Sequence, residues 1–254
     1  MGDFARHWAA CDNAVLPGRR LELSLNGQPV GWVQPETAAA LGAGPGPADL
    51  HDLGSAAKKL ADLGLCRVRH EAFDIRATPD GPALGTVDRG ALPIFGLIAL
   101  GVHLNGLVRR ADGPWLWVAR RAADKALDPG KLDHLVAGGV AAGHTPWETL
   151  LKEAAEEAAL PVTLASQARP VGHLDYAMER AEGLRRDRLY MYDLWLPESF
   201  EPHPADGEVE AFELSPLPAV FERVRHTDDF KFNVNLVLID LFRRMGVLPD
   251  TAAR

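Results

Sequence analysis

Three glutamates, Glu153, Glu156 and Glu157, lie close together near the middle of the chain. Positions three and four residues apart share one side of an α-helix, so these carboxylates can converge on one point. Each like-charge pair costs roughly 0.2–0.5 kcal/mol, and Lys152 beside them can offset only part of that repulsion. Oxygen ligands suit hard divalent cations, and Mg²⁺ is commonly held by a few carboxylates together with substrate phosphates. The spacing therefore predicts a divalent-cation site.

The alternative interpretation is a solvated helix face, which is the usual role of a charged arc on an amphipathic helix. A face that serves only solubility more often intersperses lysines among its glutamates. Here Lys152 can pair with Glu148 or Glu156, but not with every glutamate. We therefore favour the cation site.

The residues TPWE at 145–148 predict where the helix begins. Thr145 can cap the backbone, Pro146 suits the first helical position, and Glu148 can reach back to the cap, which is the pattern of a capping box. We predict a helix that starts at Pro146. At about 100° per residue its apolar arc contains Trp147, Leu150, Leu151, Ala154 and Ala158, with the three glutamates on a neighbouring arc.

The segment GGVAAGHTPWETLLKEAAEEAAL resembles the Nudix box. That box runs Gly, five residues, Glu, seven residues, Arg-Glu, an aliphatic residue, any residue, Glu-Glu, any residue, Gly, and an aliphatic residue. The spacing matches throughout, with Gly138 on the first glycine and Glu153, Glu156 and Glu157 on the last three glutamates. Leu160 closes the motif.

Three positions depart from the box: His144 replaces its first Glu, Lys152 its Arg, and Ala159 its late Gly. Within the family, the first Glu and the Arg of the box tend to pair with each other. Losing both therefore removes a structural ion pair and leaves the three glutamates of the cation site in place. Ala159 is a less comfortable replacement, because glycine accepts a left-handed helix end more cheaply than alanine.

The resemblance implies an enzyme that hydrolyses a diphosphate linkage with Mg²⁺, Mn²⁺ being an alternative. It implies that Glu156 and Glu157 ligate the cation and that Glu153 ligates or acts as the general base. Glu208, in the sequence DGEVE before a predicted strand, is a candidate further ligand or base, with a solvated loop carboxylate as the alternative. A diphosphate repels nucleophiles, so cations on its oxygens and a base for water are what this chemistry needs.

The flanking sequences LDHLVAGGVAAG and FKFNVNLVLIDLFRRMG extend the resemblance to a Nudix branch that carries an extra N-terminal domain. Members of that branch are related to the Nudix proteins associated with thiamine pyrophosphokinase, and are associated with hydrolysis of oxidised thiamine diphosphate. The resemblance thus implies conversion of damaged thiamine diphosphate to the monophosphate. The alternatives are another Nudix substrate, such as ADP-ribose or a nucleotide, and a non-catalytic Nudix module that senses a ligand.

Length and composition fit a globular protein of one large or two modest domains: 254 residues, 47% hydrophobic. The formal net charge of −8 argues against a nucleic-acid partner and requires a cation to mediate binding of an anionic substrate.

Cys11 and Cys66 form no metal-ligand or redox pattern, which favours a reduced, cytoplasmic setting. The most apolar run, from Ala91, is interrupted by Pro93 and several polar or glycine residues, so we expect no membrane segment. The oligomeric state is left open, with a homodimer as one alternative.

Short segments separated by Gly/Pro-rich turns give way near residue 101 to longer segments of alternating apolar and polar residues, so we predict two domains. Residues 1–100 form a small α+β N-terminal domain, with a hairpin around Asn26-Gly27 and a short helix closed by Gly64. Residues 101–254 form a Nudix α/β/α sandwich with a mixed sheet, as the resemblance implies. Its predicted elements include a hairpin around ADG at 111–113, strands at 188–196 and 208–217, and a C-terminal amphipathic helix.

Other conspicuous side chains receive ordinary interpretations. A basic patch upstream of the box is predicted to be a solvated edge, with phosphate contact as the alternative. Isolated histidines lack metal-ligand spacing and are assigned surface or core roles. Two tryptophans on one strand are assigned to core packing, with stacking on a heterocyclic substrate as the alternative. These residues are Arg120, Arg121, Lys125 and Lys131; His173, His203 and His226; and Trp115 and Trp117.

Overall fold

A seven-stranded mixed sheet is the centre of the fold, in a computed structural model that describes residues 4–125, 127–205 and 207–248. Its long central strand, Ile98–Arg110, is buried over most of its length, as expected of a strand that is covered on both faces. The sheet order is β10-β11-β6-β7-β12, with β8 paired to β7 and β9 paired to β6. The strands are β6 (Ile98–Arg110), β7 (Gly113–Arg121), β8 (Leu132–Asp133), β9 (Val136–Gly139), β10 (Arg169–Arg180), β11 (Gly183–Leu196) and β12 (Val209–Pro216).

The long central strand β6 has one edge shared by two partners. Its other edge is filled by β11, which runs parallel to it. On the shared edge, residues 101–104 pair with β9 and residues 106–110 pair with β7, both antiparallel. The start of β9 at Val136 and the middle of β7 at Trp117 therefore lie on either side of Asn105, and this junction lies beside the candidate site.

Helices cover both faces of the sheet, which confirms the predicted sandwich architecture. One face packs against the glutamate-bearing helix through Leu150, Ala154 and Ala158. The opposite face packs against two C-terminal helices and the first helix of the chain. The helices of this part are α5 (Pro146–Ala158), α6 (Val162–Ala165), α7 (Leu217–His226) and α8 (Val234–Arg244).

The N-terminal residues form a small α+β unit with its own core. The predicted hairpin is present, and Asn26 and Gly27 both have positive φ, as its tight turn requires. The predicted helix is also present and is followed by Gly64 in a left-handed conformation. The helices and strands that precede β6 along the chain are α1 (Ala5–Cys11), which packs elsewhere, and β1 (Leu21–Leu25), β2 (Gln28–Val33), α2 (Pro35–Leu41), β3 (Ala48–Leu50), α3 (Leu53–Asp62), β4 (Ala72–Ile75), β5 (Gly85–Asp88) and α4 (Leu92–Phe95).

The predicted division at residue 101 falls inside β6, which begins at Ile98. Helix α1 lies in the N-terminal part of the sequence but packs with the C-terminal elements, where Phe4 and Cys11 join the cores beneath α8. The division into two domains stays a prediction, and α1 is held by the second of them.

The predicted C-terminal amphipathic helix is present, and most of its side chains are buried. It begins at Val234, and eight of its residues are buried. Packing between the sheet, α1 and α7 explains this, because three neighbours leave little of its surface to solvent.

Helix α5 ends at Ala159, which adopts a left-handed conformation with φ 49° and ψ 32°. This conformation costs an L residue other than glycine roughly 1–2 kcal/mol. The position that the family fills with glycine is therefore strained here.

We expect Ala159→Gly to raise the free energy of unfolding by about 0.5–1 kcal/mol, because the relief of strain exceeds the extra entropy of glycine in the unfolded chain. Urea unfolding measures this. Ala158→Gly is the matched control: Ala158 is buried inside the helix, so glycine there should destabilise the protein. Destabilisation by both substitutions would contradict the strain.

Candidate active site

The start of helix α5 is fixed by the predicted capping box. The Glu148 amide donates to Thr145 Oγ1 at 3.2 Å, and the Thr145 amide donates to Glu148 Oε2 at 2.9 Å. With the apolar side of the helix packed on the sheet, its glutamate side is directed toward β9. Local sequence therefore sets both where the helix starts and which side faces the site.

Glu153 lies directly against the backbone of β9. A Cβ at Gly138 would sit 2.4 Å from Glu153 Cγ, so only glycine allows this approach. The Glu153 side chain is 19% exposed. Burial raises its pKa, and nearby Lys152 opposes the increase while Glu156 and Glu208 add to it. This carboxylate is thus half-buried and able to hold or accept a proton more readily than a free glutamate.

Glu157 is the buried carboxylate of the site, with 7% exposure. Its Oε2 accepts a hydrogen bond from the Ala137 amide at 2.9 Å. Burial raises its pKa well above the ordinary value; that hydrogen bond opposes the increase, and the charges of Asp133, Glu153 and Glu208 add to it. An ionised carboxylate in this position needs a cation.

Glu208 and Glu156 flank these two residues differently. Glu208 lines a small cavity together with Glu157 and forms an ion pair with Lys125. Glu156 lies outside, where its half-exposed side chain is paired with Lys152. The structure therefore brings Glu153, Glu157 and Glu208 together and leaves Glu156 at the outer edge. The assignment of metal-ligating and catalytic roles to these four stays a prediction.

A buried polar layer beneath the glutamates was not anticipated from the sequence. His103 and His134 face each other with their Nδ1 atoms 2.8 Å apart. Burial lowers the pKa of His103 well below its usual value and that of His134 to about 4. Burial alone would raise the pKa of Asp133, but Lys231 and Arg121 outweigh it and hold that pKa well below its usual range. The only sequence signal was a histidine inside an apolar strand.

The side chains of the basic patch are engaged in hydrogen bonds and ion pairs within the chain. Each of its members contacts an acceptor of this chain, so none stands as an uncommitted phosphate ligand. The acceptors are the Gly130 carbonyl for Arg120, Asp133 for Arg121, Glu208 for Lys125 and the Asp228 carbonyl for Lys131.

The tryptophans and histidines largely follow their predicted roles. Trp117 is buried in the core, and Trp115 packs at its border under Arg110. His173, His203 and His226 are exposed.

The N-terminal unit contacts the candidate site from two directions. The Ala142 amide, in the loop before α5, donates to the Ala72 carbonyl of β4 at 2.8 Å. Asp80, between β4 and β5, accepts from the Tyr190 hydroxyl at 2.9 Å and from Arg188 at 2.6 Å. The N-terminal unit therefore reaches the sheet face that also carries α5.

A mixed sheet between helix layers, with a carboxylate-bearing helix packed beside a glycine-containing strand, is an arrangement that agrees with the sequence comparisons. Residues 100–234 match the NUDIX domain, and the chain therefore belongs to the Nudix family.

Two relatives come from Arabidopsis thaliana. Nudix hydrolase 20, chloroplastic, is 39% identical over 197 residues, covering 77% of this chain and 53% of that protein. Nudix hydrolase 24, chloroplastic, is 40% identical over 181 residues, covering 71% of this chain and 50% of that protein. The chain thus spans about half the length of these relatives.

A solved structure supports the fold. The crystal structure of DR0079 from Deinococcus radiodurans matches with a TM-score of 0.53 and 21% identity, covering 68% of this chain and all of that one. In the part of the chain that the structure describes, no helix has the length and apolar character needed to cross a membrane.

The raised pKa of Glu157 predicts how stability depends on pH without metal. Between the unfolded and folded pKa values, the folded chain holds a proton that the unfolded chain has lost, so stability falls as pH rises above about 4.3 and through the folded pKa. Glu157→Gln removes this dependence. In EDTA we expect its Tm to exceed that of the parent at neutral pH by on the order of a few degrees, and to differ little at pH 4.

Glu156→Gln is the matched control, because it removes the same charge from an exposed side chain on the same helix. It should not show the gain in Tm at neutral pH that is expected of Glu157→Gln. Addition of Mg²⁺ should raise the Tm of the parent more than that of Glu157→Gln. Identical pH profiles for Glu157→Gln and the parent would show that this carboxylate is not the source of the dependence.

Proposed function

We propose that this protein hydrolyses a diphosphate linkage with the help of a divalent cation, Mg²⁺ or alternatively Mn²⁺. The observation that carries the proposal is the buried Glu157, which shares one small cavity with Glu208 and has Glu153 as a neighbouring charge. Grouping these carboxylates in a partly dry setting is unfavourable unless a cation accompanies them. The names of the Arabidopsis relatives, both called Nudix hydrolases, support the same reaction class.

The donor set fits a hard cation. Glu153, Glu157 and Glu208 would hold it through carboxylate oxygens, and Glu156 would join them on release from Lys152. When bound, the cation would neutralise charge on the diphosphate oxygens and polarise the bond to be cleaved. Because the neighbouring basic side chains already contact this chain, a metal is also the source of positive charge that the substrate requires.

Glu153 is the better candidate for the general base. It is less buried than Glu157, so it can contact a water molecule, and its raised pKa makes it a better proton acceptor than an ordinary glutamate. Glu157 is instead fixed by the Ala137 amide, which suits a residue that holds a ligand in place. Gly138 lets the Glu153 side chain lie close to β9, next to the Ala137 amide that holds Glu157.

We further propose oxidised thiamine diphosphate as the substrate, converted to the monophosphate. Oxidation removes the positive charge of the thiazolium ring, so a pocket without an available anion can reject the intact cofactor. On the sheet face that carries α5, the Asp80 carboxylate already accepts hydrogen bonds from Arg188 and Tyr190, so it is less available to a ring cation. Trp147 is partly exposed and packs on the buried Tyr192, with ring centroids 5.9 Å apart, so it offers aromatic surface to an uncharged heterocycle.

Substitution of the site carboxylates tests the reaction class. We expect Glu153→Gln and Glu157→Gln to lower kcat by about 10²–10⁴-fold with Mg²⁺, the range for loss of a positioned acid–base group, and EDTA to abolish turnover. Glu156→Gln should lower it as well, because that residue joins the cation. The measurement is phosphate release from a panel of diphosphates.

Glu198→Gln is the control, since it neutralises an exposed glutamate after β11. Parent-like turnover in Glu153→Gln and Glu157→Gln would refute the assignment. Tight ligand binding with no turnover on any diphosphate would instead favour the ligand-sensing module.

Comparison of kcat/KM on one preparation tests the substrate. We expect oxidised thiamine diphosphate to exceed both intact thiamine diphosphate and ADP-ribose. Tyr190→Phe should narrow the preference between the two thiamine compounds, because it removes one partner of Asp80 and makes that carboxylate more available to a ring cation. Asp80→Asn, which removes the anion, should not narrow the preference, and neither change should alter metal binding. If ADP-ribose is the best of the three, a nucleoside diphosphate derivative replaces thiamine as the substrate class.

A further inference from the structure

His103, Asp133 and His134 form a buried cluster at the point where β6, β8 and β9 come together. All three are at least 95% buried. One ring nitrogen from each histidine and one carboxylate oxygen lie within 4.8 Å of one another. The three residues come from separate strands and an adjoining loop, so the fold assembles the cluster over about 30 residues of sequence.

The histidines are oriented with their nitrogens toward each other. The Nδ1 atoms are 2.8 Å apart and the ring planes cross at 83°. Two imidazole ligands on one tetrahedral Zn²⁺, each about 2.0–2.1 Å from it, have their nitrogens about 3.3 Å apart. Without metal the two nitrogens share a hydrogen bond, and widening their separation by about half an ångström would give the distance between two ligands of one ion.

We propose that His103 Nδ1, His134 Nδ1 and an oxygen of Asp133 form a second cation site, specific for a divalent transition metal such as Zn²⁺. Imidazole nitrogen suits Zn²⁺ and its neighbours in the first transition row, whereas carboxylates alone suit Mg²⁺. The protein thus has a nitrogen-containing site next to an all-oxygen one. This site is separate from the proposed hydrolysis and does not depend on it.

The surroundings of Asp133 orient it as metal sites usually orient their carboxylates. Its Oδ1 accepts from the His134 amide at 2.9 Å, and its Oδ2 accepts from Arg121 at 2.9 Å. Such outer hydrogen bonds fix a ligand's direction. Lys231 Nζ lies farther away, 3.4 Å from Oδ2, and is the cation that a bound metal would displace.

Room for a fourth ligand lies on the side of the glutamates. Asp133 and His134 line a cavity of about 10 Å³ whose other walls include Glu157 and Glu208. That volume accommodates about one water molecule. Three protein ligands and a water complete the four-coordinate arrangement of zinc.

Cobalt substitution tests the ligand set. Co²⁺ bound by imidazole in a four-coordinate site absorbs visible light much more strongly than Co²⁺ in an octahedral oxygen site. We expect the parent protein to bind one equivalent of Co²⁺ with intense visible bands, and Zn²⁺ to abolish those bands by competition. Absence of intense bands in the parent overturns the proposal.

Variants separate this site from the carboxylate centre. His103→Asn and His134→Asn should lose the bands and bind Zn²⁺ at least about tenfold more weakly by equilibrium dialysis. His173→Asn, which changes an exposed histidine, and Glu153→Gln, which changes the carboxylate centre, should retain them. Bands that survive both buried substitutions, or that disappear in Glu153→Gln, overturn the assignment. Mg²⁺-dependent hydrolysis, measured on the same variants, reports separately on the proposed function.

The substitution Lys231→Met distinguishes a metal site from a cluster that has only a structural role. Removal of the competing ammonium group should tighten Zn²⁺ binding, whereas a structural salt bridge predicts only lower stability. Weaker or unchanged Zn²⁺ binding in this variant counts against the site. Should the histidine variants fail to fold, X-ray absorption of the Zn²⁺-loaded parent decides the question: two imidazole ligands support the proposal and an all-oxygen shell overturns it.

Discussion

The burial of the Glu157 carboxylate against the end of β9 is the constraint on which the candidate site depends. The hydrogen bond from the Ala137 amide cannot offset the cost of removing a charge from water. The side chain is therefore either protonated or accompanied by a cation, and the neighbouring carboxylates of Glu153 and Glu208 favour both outcomes over an isolated anion. A stable framework around an unfavourable charge is what a cation-binding site requires.

That framework is built largely from backbone. Gly138 allows Glu153 to lie on the strand, and β9 presents its Ala137 amide because β9 and β7 share one edge of β6. The same need for close packing appears at the end of α5, where Ala159 is held in a left-handed conformation so that the chain can turn toward Leu160 in the core. Sheet pairing and helix packing elsewhere must compensate this local strain.

Features encoded by neighbouring residues were predictable from the sequence. The start of α5, its apolar arc and the Asn26-Gly27 hairpin follow from local spacing, and all are present. The Nudix sandwich followed from the same motif. The cluster of His103 and His134 was not predictable, because the pairing of β6 with β9 brings together residues about 30 positions apart and no local pattern encodes that register. The burial of Glu157 was likewise missed, since helical spacing gives a direction but not what covers it.

In the proposed reaction, internal neutralisation of the basic side chains would leave a bound metal as the source of positive charge for an anionic substrate. Arg121 and Lys231 are drawn to Asp133, Lys125 to Glu208 and Lys152 to Glu156, so the positive charges near the glutamates are already balanced. A doubly charged ion at the carboxylates changes that balance by competing with lysines for their partners. Because surface ion pairs contribute little stability, the exposed pair of Lys152 with Glu156 can exchange at small cost. Disrupting the buried pair of Arg121 with Asp133 costs far more free energy, so this pair stays in place beneath the glutamates.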